Sequence, residues 1–481
     1  MKKENSNNRR SFLKNIVLSS GALAIGVKSF GASSLNNNAS FSDNYSTPAS
    51  GFNMSGYAAP KIDTVRVGLI GLGNRGSGAA TRLVQIANLE MVAIADKLEN
   101  KVMATRKNLA DMGVKQPVEY FGDENKWKKL CERPDIDLVY ICTPWAFHTP
   151  MAVYAMNQGK HVCVEVPAAK TIDEAWQLVE TSERTHKHCM MLENCCYDFF
   201  ELMTLNMARS GFFGELFHAE AAYIHNLLEM NFDKTSYTDM WRLKENMRNG
   251  NLYPTHGLGP VCQALDINRG DQMEYMTSMS SNDFQMGIKA NELAQKDSFY
   301  EEFAGKSYRG NMNTSTIRTF KGKTIMVQHD VTSTRPYSRI HLLSGTKGIA
   351  CKFPDPPKIS TGGEEYWFNE KEMKAVEEKY TPEIVKHIGE IAKSVGGHGG
   401  MDFMMDWRTI DCLRNGLPLD QNVYDAALWS SIAPLSEKSV ANRSNSIDVP
   451  DFTRGAWRTN KPVDITLNGG GTTGVNTNLK K

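Results

Sequence analysis

The strongest constraint on the fold is a glycine-rich turn between an apolar strand and a helical segment. Residues 66–70 form a short, mostly apolar run, and residues 71–76 follow directly with the sequence GLGNRG. Gly71 permits a tight turn, Gly73 lets the backbone approach a pyrophosphate, and Gly76 lets the helix pack closely on the strand. Because a helix N-terminus favours negative charge, this order of elements predicts a dinucleotide-binding unit.

A carboxylate at the end of the next strand strengthens this prediction. Residues 90–95 form the strand, and Asp96 follows it. At that place a carboxylate accepts hydrogen bonds from the adenosine ribose hydroxyls and repels the 2′-phosphate of NADP. The sequence therefore predicts NAD as the cofactor. The alternative is a structural glycine turn followed by an unrelated aspartate.

The first part of the folded chain predicts a parallel sheet. Residues 137–142 and 161–164 are further apolar strands, and helical segments lie between the strands. Such alternation is typical of a doubly wound parallel sheet. We therefore expect an NAD-binding Rossmann domain at residues 61–195 and an α/β fold class.

The second part, residues 196–465, has a different pattern. Its longer alternating segments predict an α+β substrate domain with an open, largely antiparallel sheet. Helices at 381–394 and 401–415 then return to the first domain. The expected strands of this sheet are 217–223, 273–279, 314–320, 324–331 and 339–343.

The balance of charge limits the class of ligand. The 481-residue chain carries 55 lysines and arginines against 54 aspartates and glutamates. Such a chain has no global field that would attract nucleic acid or an anionic membrane. The sequence therefore favours a small, largely uncharged ligand and predicts no nucleic-acid partner.

Residues 1–32 predict an export signal. Arg9 and Arg10 precede an apolar stretch at 16–27, and small residues follow at 31–33. This arrangement resembles a twin-arginine signal peptide, so we expect export by the twin-arginine machinery to the periplasm or the cell surface. A membrane-anchoring helix is the alternative, but the apolar stretch is about half as long as a bilayer needs.

The flanking segments and the cysteines suit the same route. Residues 33–60 are rich in Ser, Asn and Gly and predict a disordered linker, and residues 466–481 predict a flexible tail.

The nine cysteines include the adjacent Cys195 and Cys196 and do not resemble a disulfide framework. No spacing suggests zinc, so no metal is predicted. A chain that folds in the cytoplasm before export would keep its thiols reduced and carry its cofactor with it.

Two further strand ends resemble the Gfo/Idh/MocA oxidoreductase family. One strand leads into Thr143 and Pro144, with a histidine close behind, and another leads into residues 165–167, which read EVP. Dehydrogenases of that family usually carry lysine where this chain has Val166, which can neither ionise nor donate a proton. The resemblance implies a Rossmann fold that lacks the usual proton-transferring lysine. It also implies contacts to the dinucleotide from Gly71, Gly73, Asn74, Arg75, Gly76, Asp96, Trp145, Ala146, Phe147, His148, Glu165, Val166 and Asn194.

The densest polar cluster of the second domain lies at residues 251–260. Prolines and glycines punctuate this stretch and can aim Tyr253 and His256 out of a regular element. Histidine titrates near neutrality, whereas tyrosine acts as a base only where a neighbour lowers its pKa. On chemistry alone, such a pair is more often structural than catalytic.

Several stretches together resemble glycoside hydrolase family 109. They are residues 194–197 (NCCY), 249–260, 268–271 (NRGD) and 398–403 (HGGMDF). The resemblance covers most of the chain after the signal and implies an α-N-acetylgalactosaminidase. It gives catalytic roles to His256 and Tyr253 without deciding which is the base, and His398 is a further candidate for lining the cleft. The implied sugar-binding residues are Tyr223, Arg242, Tyr253, Pro254, Thr255, His256 and Tyr337.

The resemblance also implies an unusual reaction. It marks no carboxylate pair of the kind most glycosidases use, and nicotinamide-dependent glycosidases are a recognised exception. In such a reaction NAD transiently oxidises C3 of the sugar, the C2 proton is removed, the C1 leaving group departs, and water addition and re-reduction follow. The implied substrate is a terminal α-N-acetylgalactosamine, or a related hexosamine, on a glycan.

Two other functions remain open at this point. One is a periplasmic NAD-dependent sugar or inositol dehydrogenase, which would need a lysine in place of Val166. The other is a non-catalytic sugar-binding protein with a vestigial cofactor. The sequence fixes neither the sugar nor the oligomeric state, and a homo-oligomer is one option.

Overall fold

The computed structural model describes residues 51–362, 365–476 and 479. The predicted signal peptide at 1–32 and most of the predicted linker therefore lie outside the described residues. Within the described ranges, no helix combines the length and the apolar character that a membrane span requires.

The first sheet has six strands, each parallel to its neighbours. They are β1 (Val65–Ile70), β2 (Leu89–Ala95), β3 (Val118–Tyr120), β4 (Leu138–Ile141), β5 (His161–Val164) and β6 (Cys189–Met191). They lie in the order β3-β2-β1-β4-β5-β6, so the strand order reverses between β1 and β4. Folds of this kind bind nucleotides in the crevice beyond that reversal. The predicted doubly wound parallel sheet is confirmed.

Five helices connect these strands. Thr171 shows why the last of them begins where it does: its hydroxyl accepts the Glu174 N–H, and the Glu174 carboxylate accepts the Thr171 N–H. This capping box satisfies two backbone donors at the helix start. The helices are α1 (Asn74–Leu83), α2 (Glu99–Asp111), α3 (Trp127–Cys131), α4 (His148–Asn157) and α5 (Ile172–Thr185).

The second sheet has eight strands. They are β7 (Leu216–Ile224), β8 (Met273–Ser280), β9 (Asn313–Thr319), β10 (Thr324–Asp330), β11 (Leu342–Gly345), β12 (Gly348–Cys351), β13 (Lys358–Thr361) and β14 (Ile447–Asp448). Their order is β13-β12-β11-β7-β10-β9-β8-β14. Among the described strands, β7 and β10 run parallel and every other neighbouring pair is antiparallel. The predicted largely antiparallel sheet is confirmed.

One strand begins later than the sequence predicts. The strand expected at 339–343 starts at Leu342, because Ile340 and His341 have φ angles of 61° and 47°. Positive φ is incompatible with extended backbone. The pattern of side chains alone could not show this break.

The second domain contains nine described helices, and the last two return to the first domain. Tyr140 of β4 donates its hydroxyl to Asp406 at 2.7 Å, and the Ala168 N–H donates to Ser430 at 3.1 Å. The helices are α6 (Phe199–Arg209), α7 (Leu228–Phe232), α8 (Trp241–Glu245), α9 (Thr255–Ala264), α10 (Met286–Ala294), α11 (Glu370–Tyr380), α12 (Glu383–Val395), α13 (Met401–Asn415) and α14 (Val423–Ala441).

Part of the predicted disordered linker belongs to the folded unit. Met54 is buried, and its N–H donates to the Tyr424 hydroxyl at 3.1 Å. Residues 51–60 have no regular structure but are anchored in this way, so the linker prediction is corrected for them. The amino-acid composition of a polar segment does not show that one of its residues, here Met54, is buried.

The predicted tail at 466–481 is corrected for the same reason. Trp407 Nε1 donates to the Thr473 carbonyl at 2.9 Å, and Asp411 accepts the N–H groups of Gly471 and Thr473 at 2.8 Å and 3.2 Å. These bonds fasten the segment to α13. Residues 466–476 are therefore part of the packed structure.

Candidate active site

The turn after β1 has the geometry of a phosphate-binding loop. Gly71 has a φ of +88°, and a Cβ there would lie 2.6 Å from the Cys142 carbonyl oxygen. A Cβ at Gly76 would lie 1.7 Å from the Gly71 oxygen, whereas Gly73 has no neighbour within 4 Å. Gly73 thus leaves room for a ligand to approach the backbone at the N-terminus of α1, where the helix dipole favours a pyrophosphate. The turn fits NAD.

Asp96 stands beside this turn at the end of β2. Its Oδ2 accepts the Leu72 N–H at 2.7 Å, and its Oδ1 accepts the Leu98 N–H at 2.9 Å. The two bonds fix the carboxylate at the edge of the cleft, and its remaining lone pairs can accept ribose hydroxyls. The neighbouring Lys97 is paired with Asp239 at 2.8 Å. This arrangement favours NAD over NADP, because the ribose edge presents a negative charge.

Arg75 and Asn194 meet at a carboxylate from a distant part of the chain. Arg75 Nε donates to Glu165 Oε1 at 2.9 Å, and Arg75 Nη1 donates to Asp402 Oδ2 at 3.1 Å. Asn194 Nδ2 donates to Asp402 Oδ1 at 2.5 Å. Next to them, His398 Nδ1 lies 2.9 Å from Asp402 Oδ2. The structure therefore brings two predicted dinucleotide residues, Arg75 and Asn194, together at one aspartate, and a third, Glu165, bonds to Arg75.

Trp145 joins the dinucleotide side of the cleft to the sugar side. Its ring stacks on Tyr253 with centroids 5.5 Å apart and planes 13° apart. Ala146 and Phe147 follow it and are exposed. Asn74, at the start of α1, also faces the second domain and donates to a backbone carbonyl there. The two halves of the predicted site thus share one cleft.

His148 lies outside this cleft. It is buried, with Nδ1 2.7 Å from the Pro167 carbonyl oxygen and Nε2 2.7 Å from the Thr143 carbonyl oxygen. Burial lowers its pKa. Both ring nitrogens are engaged with the backbone, so the imidazole is not free to bond to the dinucleotide, and the predicted contact of His148 through its backbone stays a prediction. Val166 is buried as well and offers no polar group.

Three predicted sugar-contacting rings surround Tyr223 on β7. Its centroid lies 4.8 Å from Tyr253, 5.3 Å from His256 and 6.3 Å from Tyr337. Its hydroxyl lies 3.0 Å from His225 Nδ1. Burial raises the pKa of Tyr223 to about 12, so this phenol stays protonated. The cluster offers ring faces and hydroxyl groups to a sugar.

Helix α9 brings His256 to this cluster because it carries glycine where it crosses β7. A Cβ at Gly257 would lie 2.4 Å from the Ala222 nitrogen. A larger residue would push α9, and with it His256, away from the strand. Pro254 and Thr255, which begin the helix, are buried. Their predicted contact with a sugar stays a prediction.

A buried carboxylate at the end of β6 orients His256. His256 Nδ1 lies 2.7 Å from Glu193 Oε1, and Glu193 is fully buried. Burial opposes its charge, yet His256 and the hydrogen bond from the Cys195 N–H hold the pKa of Glu193 below its usual value. An ionised Glu193 accepts the Nδ1 proton, which leaves Nε2 of His256 as the basic nitrogen.

Tyr253 differs from His256, because its phenol is protonated whereas Nε2 of His256 is a basic nitrogen. Burial raises the pKa of Tyr253 well above the usual value, despite the nearby Arg242. The Arg242 guanidinium lies over the rings of Tyr253, Trp145 and Tyr237 at 5.0, 5.3 and 5.6 Å. Among the described residues, Arg242 forms no ion pair with a carboxylate. Tyr253 therefore stays protonated, and Arg242 remains available for polar oxygens of a ligand.

The His256 and Glu193 pair also forms part of a potential metal-binding group. Ligand atoms of Glu193, Cys195 and His256 all lie within 4.8 Å of one another. Nδ1 of His256 is already hydrogen-bonded, and burial raises the pKa of the Cys195 thiol well above its usual value. Metals bind thiolate and free ring nitrogens, so this arrangement suits proton transfer better. The prediction of no metal stays a prediction.

Two residues of the site, Glu193 and Asp402, were not predicted from the sequence. Glu193 directly follows β6 and precedes Asn194, and carboxyl ends of parallel strands are where such folds place functional groups. The position of Glu193 at the end of a strand could therefore have marked it as a candidate site residue. Asp402 lies 327 residues from its partner Arg75, and nothing in the local sequence shows that they meet.

The glycine turn, the Asp96 edge and the adjoining open sheet define an NAD-binding oxidoreductase fold. Residues 65–193 match the family model described as "Oxidoreductase family, NAD-binding Rossmann fold". Residues 197–459, more than half of the chain, match "Glycosyl hydrolase 109, C-terminal domain". The chain belongs to glycosyl hydrolase family 109, and it is a glycosyl hydrolase.

Relatives of similar length support this assignment. A "Glycosyl hydrolase family 109 protein" of Shewanella pealeana is 48% identical over 420 residues, which cover 87% of this chain and 92% of the relative. A Shewanella oneidensis protein named "Alpha-N-acetylgalactosaminidase" is 45% identical over 463 residues, which cover 95% of this chain and 98% of the relative.

Solved structures share the fold at low identity. A levoglucosan dehydrogenase in complex with NADH and levoglucosan has a TM-score of 0.59 and 16% identity, and the match covers 80% of this chain and 100% of that chain. A myo-inositol dehydrogenase of Lactobacillus casei in complex with NAD(H) and myo-inositol has a TM-score of 0.55 and 16% identity, covering 81% and 99%. These likenesses support the oxidoreductase fold alone.

Proposed function

We propose that this enzyme releases a terminal α-linked N-acetylgalactosamine, or a related hexosamine, by transient oxidation of the sugar. The observation that carries the proposal is the stacking of Tyr253 on Trp145, which joins the predicted sugar and dinucleotide sides in one cleft. When bound, NAD would accept a hydride from C3 of the sugar and return it within the same turnover. The glycine turn, Asp96, Arg75 and Asn194 would hold it.

His256 is the base in this proposal. A ketone at C3 acidifies the hydrogen at C2, and Nε2 of His256 takes that proton while Glu193 stabilises the resulting imidazolium. The C1–O bond breaks as a C1–C2 double bond forms, and the leaving oxygen takes a proton. Tyr253, whose ring centroid lies 4.9 Å from that of His256, is the proton donor in this proposal. Water then adds at C1 and gives its proton to the Tyr253 oxygen, and His256 returns the proton to C2.

Arg242 and the two outer tyrosines bind and orient the sugar. The guanidinium of Arg242 lies among aromatic rings without a carboxylate partner, so it can donate to the acetamido or hydroxyl oxygens. Tyr223 and Tyr337 offer ring faces and hydroxyl groups. The choice of N-acetylgalactosamine is supported by the name of the Shewanella oneidensis relative.

Hydrolysis in D₂O tests the mechanism. Because His256 takes the C2 proton and exchanges it with solvent before C2 is protonated again, the released sugar should carry deuterium at C2 to the extent of that exchange. No net NADH should accumulate. A substrate deuterated at C2 or C3 should react more slowly. Released sugar without deuterium at C2, together with ordinary rates for the deuterated substrates, would show that direct displacement is the mechanism.

A panel of chromogenic α- and β-glycosides, run without added NAD, tests the substrate. We expect cleavage of the α-N-acetylgalactosaminide in preference to the others. Good cleavage of another sugar and none of this one would overturn the specificity. Steady production of NADH from a free sugar or inositol would instead support the dehydrogenase alternative. NAD retention without any cleavage would support a sugar-binding protein.

We also propose export by the twin-arginine route. The support is the sequence of residues 1–32, which contains Arg9 and Arg10 before an apolar stretch. Replacement of both arginines by lysine should retain the protein in the cytoplasm. Unchanged delivery of that variant to the periplasm or the cell surface would contradict the proposal.

A further inference from the structure

We propose that Asp402 is a positioning residue for the dinucleotide, because it holds Arg75 and Asn194 in one arrangement at the cleft. Arg75 belongs to the glycine-rich turn and Asn194 follows β6, so the two come from opposite parts of the Rossmann domain. Asp402 lies in the first turn of α13 and joins them. The inference rests on the proposed function, since it takes Arg75 and Asn194 as contacts of NAD.

The carboxylate divides its two oxygens between these partners. Oδ1 accepts Asn194 Nδ2 at 2.5 Å, and Oδ2 accepts Arg75 Nη1 at 3.1 Å. The side chain of Asp402 is 1% exposed, so it does not itself reach the cleft. Arg75 is 34% exposed, and its Nη2 takes no part in these bonds. The aspartate therefore holds one edge of a guanidinium that is partly exposed.

The charges around Asp402 favour its ionised form. Burial opposes ionisation, but the His398 hydrogen bond and the charges of Arg75 and Arg82 hold the pKa of Asp402 well below its usual range. Arg82 Nη1 lies 3.6 Å from Oδ2. A neutral isostere at this position would leave Arg75 with Glu165 as its one remaining carboxylate partner, and the guanidinium would be free to turn.

The same helix supplies a matched control. Asp411, two and a half turns further along α13 by helical geometry, is also buried and accepts several hydrogen bonds. Its partners are Arg408, Asn415 and residues 471–473, and these partners do not lie at the dinucleotide turn. Loss of a buried carboxylate at either position should lower stability, but only the change at Asp402 should disturb the cofactor site.

The experiment compares NAD binding by Asp402→Asn and Asp411→Asn. Each full-length variant is stripped of nucleotide, and its dissociation constant for NAD is measured by calorimetry, with the thermal midpoint recorded beside it. We expect Asp402→Asn to bind NAD about tenfold more weakly or worse, and Asp411→Asn to bind within about twofold of wild type. Wild-type affinity in Asp402→Asn, or an equal loss in Asp411→Asn, would overturn the proposal.

A double-mutant cycle adds a second measurement. If Asp402 acts through Asn194, then Asn194→Ala combined with Asp402→Asn should weaken NAD binding less than the product of the two single effects. Strictly multiplicative effects would contradict positioning through Asn194. These measurements use no glycoside. A wild-type protein that binds NAD but cleaves no sugar would therefore contradict the proposed function and leave this test intact.

Discussion

The two sides of the cleft are built in different ways. On the dinucleotide side, Asp96 accepts the N–H of Leu72 only 24 residues away, and the glycine backbone shapes the turn. On the sugar side, His256 depends on Glu193, 63 residues earlier in the sequence. The glycine turn and Asp96 are thus local and shaped largely by backbone, whereas the sugar side, like the contact of Arg75 with Asp402, is assembled from side chains that the tertiary fold brings together.

This difference has a functional consequence. Substitution of one side chain on the sugar side removes a chemical group that no neighbour can replace. On the dinucleotide side, backbone N–H groups of the glycine turn contribute to NAD binding together. A single side-chain substitution should therefore weaken NAD binding without abolishing it. Turnover and NAD retention should therefore respond separately to changes on the two sides.

The largest effect is expected for His256→Ala. Removal of the base should cut turnover by about a hundredfold or more, the usual scale of general acid-base catalysis. NAD retention should survive, because His256 contacts Glu193 and the aromatic cluster and not the glycine turn. Measured turnover and bound NAD decide the matter. If both fall together, the two sides are not separable.

Glu193→Gln should have the next largest effect. A glutamine can present its amide N–H to Nδ1 of His256 and so favour the tautomer whose Nε2 is protonated and cannot act as a base. We expect turnover to fall about ten- to hundredfold with NAD still bound, an order of magnitude typical of orienting partners. Glu183→Gln is the matched control, because that buried glutamate pairs with Arg454 away from the cleft. Equal losses in both variants would point to general destabilisation.

The same difference explains what the sequence could predict. The helix expected at 401–415 and the strand expected at 161–164 have those bounds in the structure, because period and composition are local signals. The aromatic cluster around Tyr223 came from a family resemblance rather than from spacing. Asp402 could not be predicted, because its contact with Arg75 exists only once α13 has packed on the Rossmann domain.

His148 shows that a resemblance marks a stretch of the chain without giving the direction of each side chain. It lies in the stretch that was expected to contact the dinucleotide, and Trp145 of that stretch does face the cleft. The histidine turns inward, where carbonyl oxygens of Thr143 and Pro167 face both of its ring nitrogens. The sequence indicates residues 145–148 as a stretch near the ligand, but the fold of the backbone determines which of their side chains face it.

The interior behind the sugar side should also make the protein sensitive to acid. His341 is buried, with Nε2 2.8 Å from the Thr204 hydroxyl, and burial lowers its pKa to about 3. In the unfolded chain its pKa is about 6.5. Because the unfolded state binds more protons below that value, stability is lost as pH falls from about 6.5 towards 3. The loss from this residue by pH 5 is about 2 kcal/mol.

His341→Asn should therefore reduce the change in unfolding free energy between pH 7 and pH 5 by about 2 kcal/mol. Asparagine tolerates the positive φ of 47° at this position. Denaturant unfolding at several pH values measures the slope, and His387→Asn, a change at an exposed histidine, should leave it as in wild type. An unchanged slope in His341→Asn would show that other groups govern the acid response.

The smallest effect is expected for Asp96→Ala, on the dinucleotide side. Loss of a charge-assisted hydrogen bond at the ribose costs about 1.5 kcal/mol, so NAD should bind about tenfold more weakly. Because the negative charge at the ribose edge also disappears, the preference for NAD over NADP should narrow. Turnover at saturating NAD should stay near that of wild type, since His256 and Glu193 are untouched. Asp137→Asn is the control, because Asp137 precedes β4 at the opposite end of the sheet and pairs with Arg66. Equal NAD affinity in Asp96→Ala and wild type would contradict the assignment of Asp96 to the ribose, and a loss of turnover at saturating NAD would contradict the separation of the two sides.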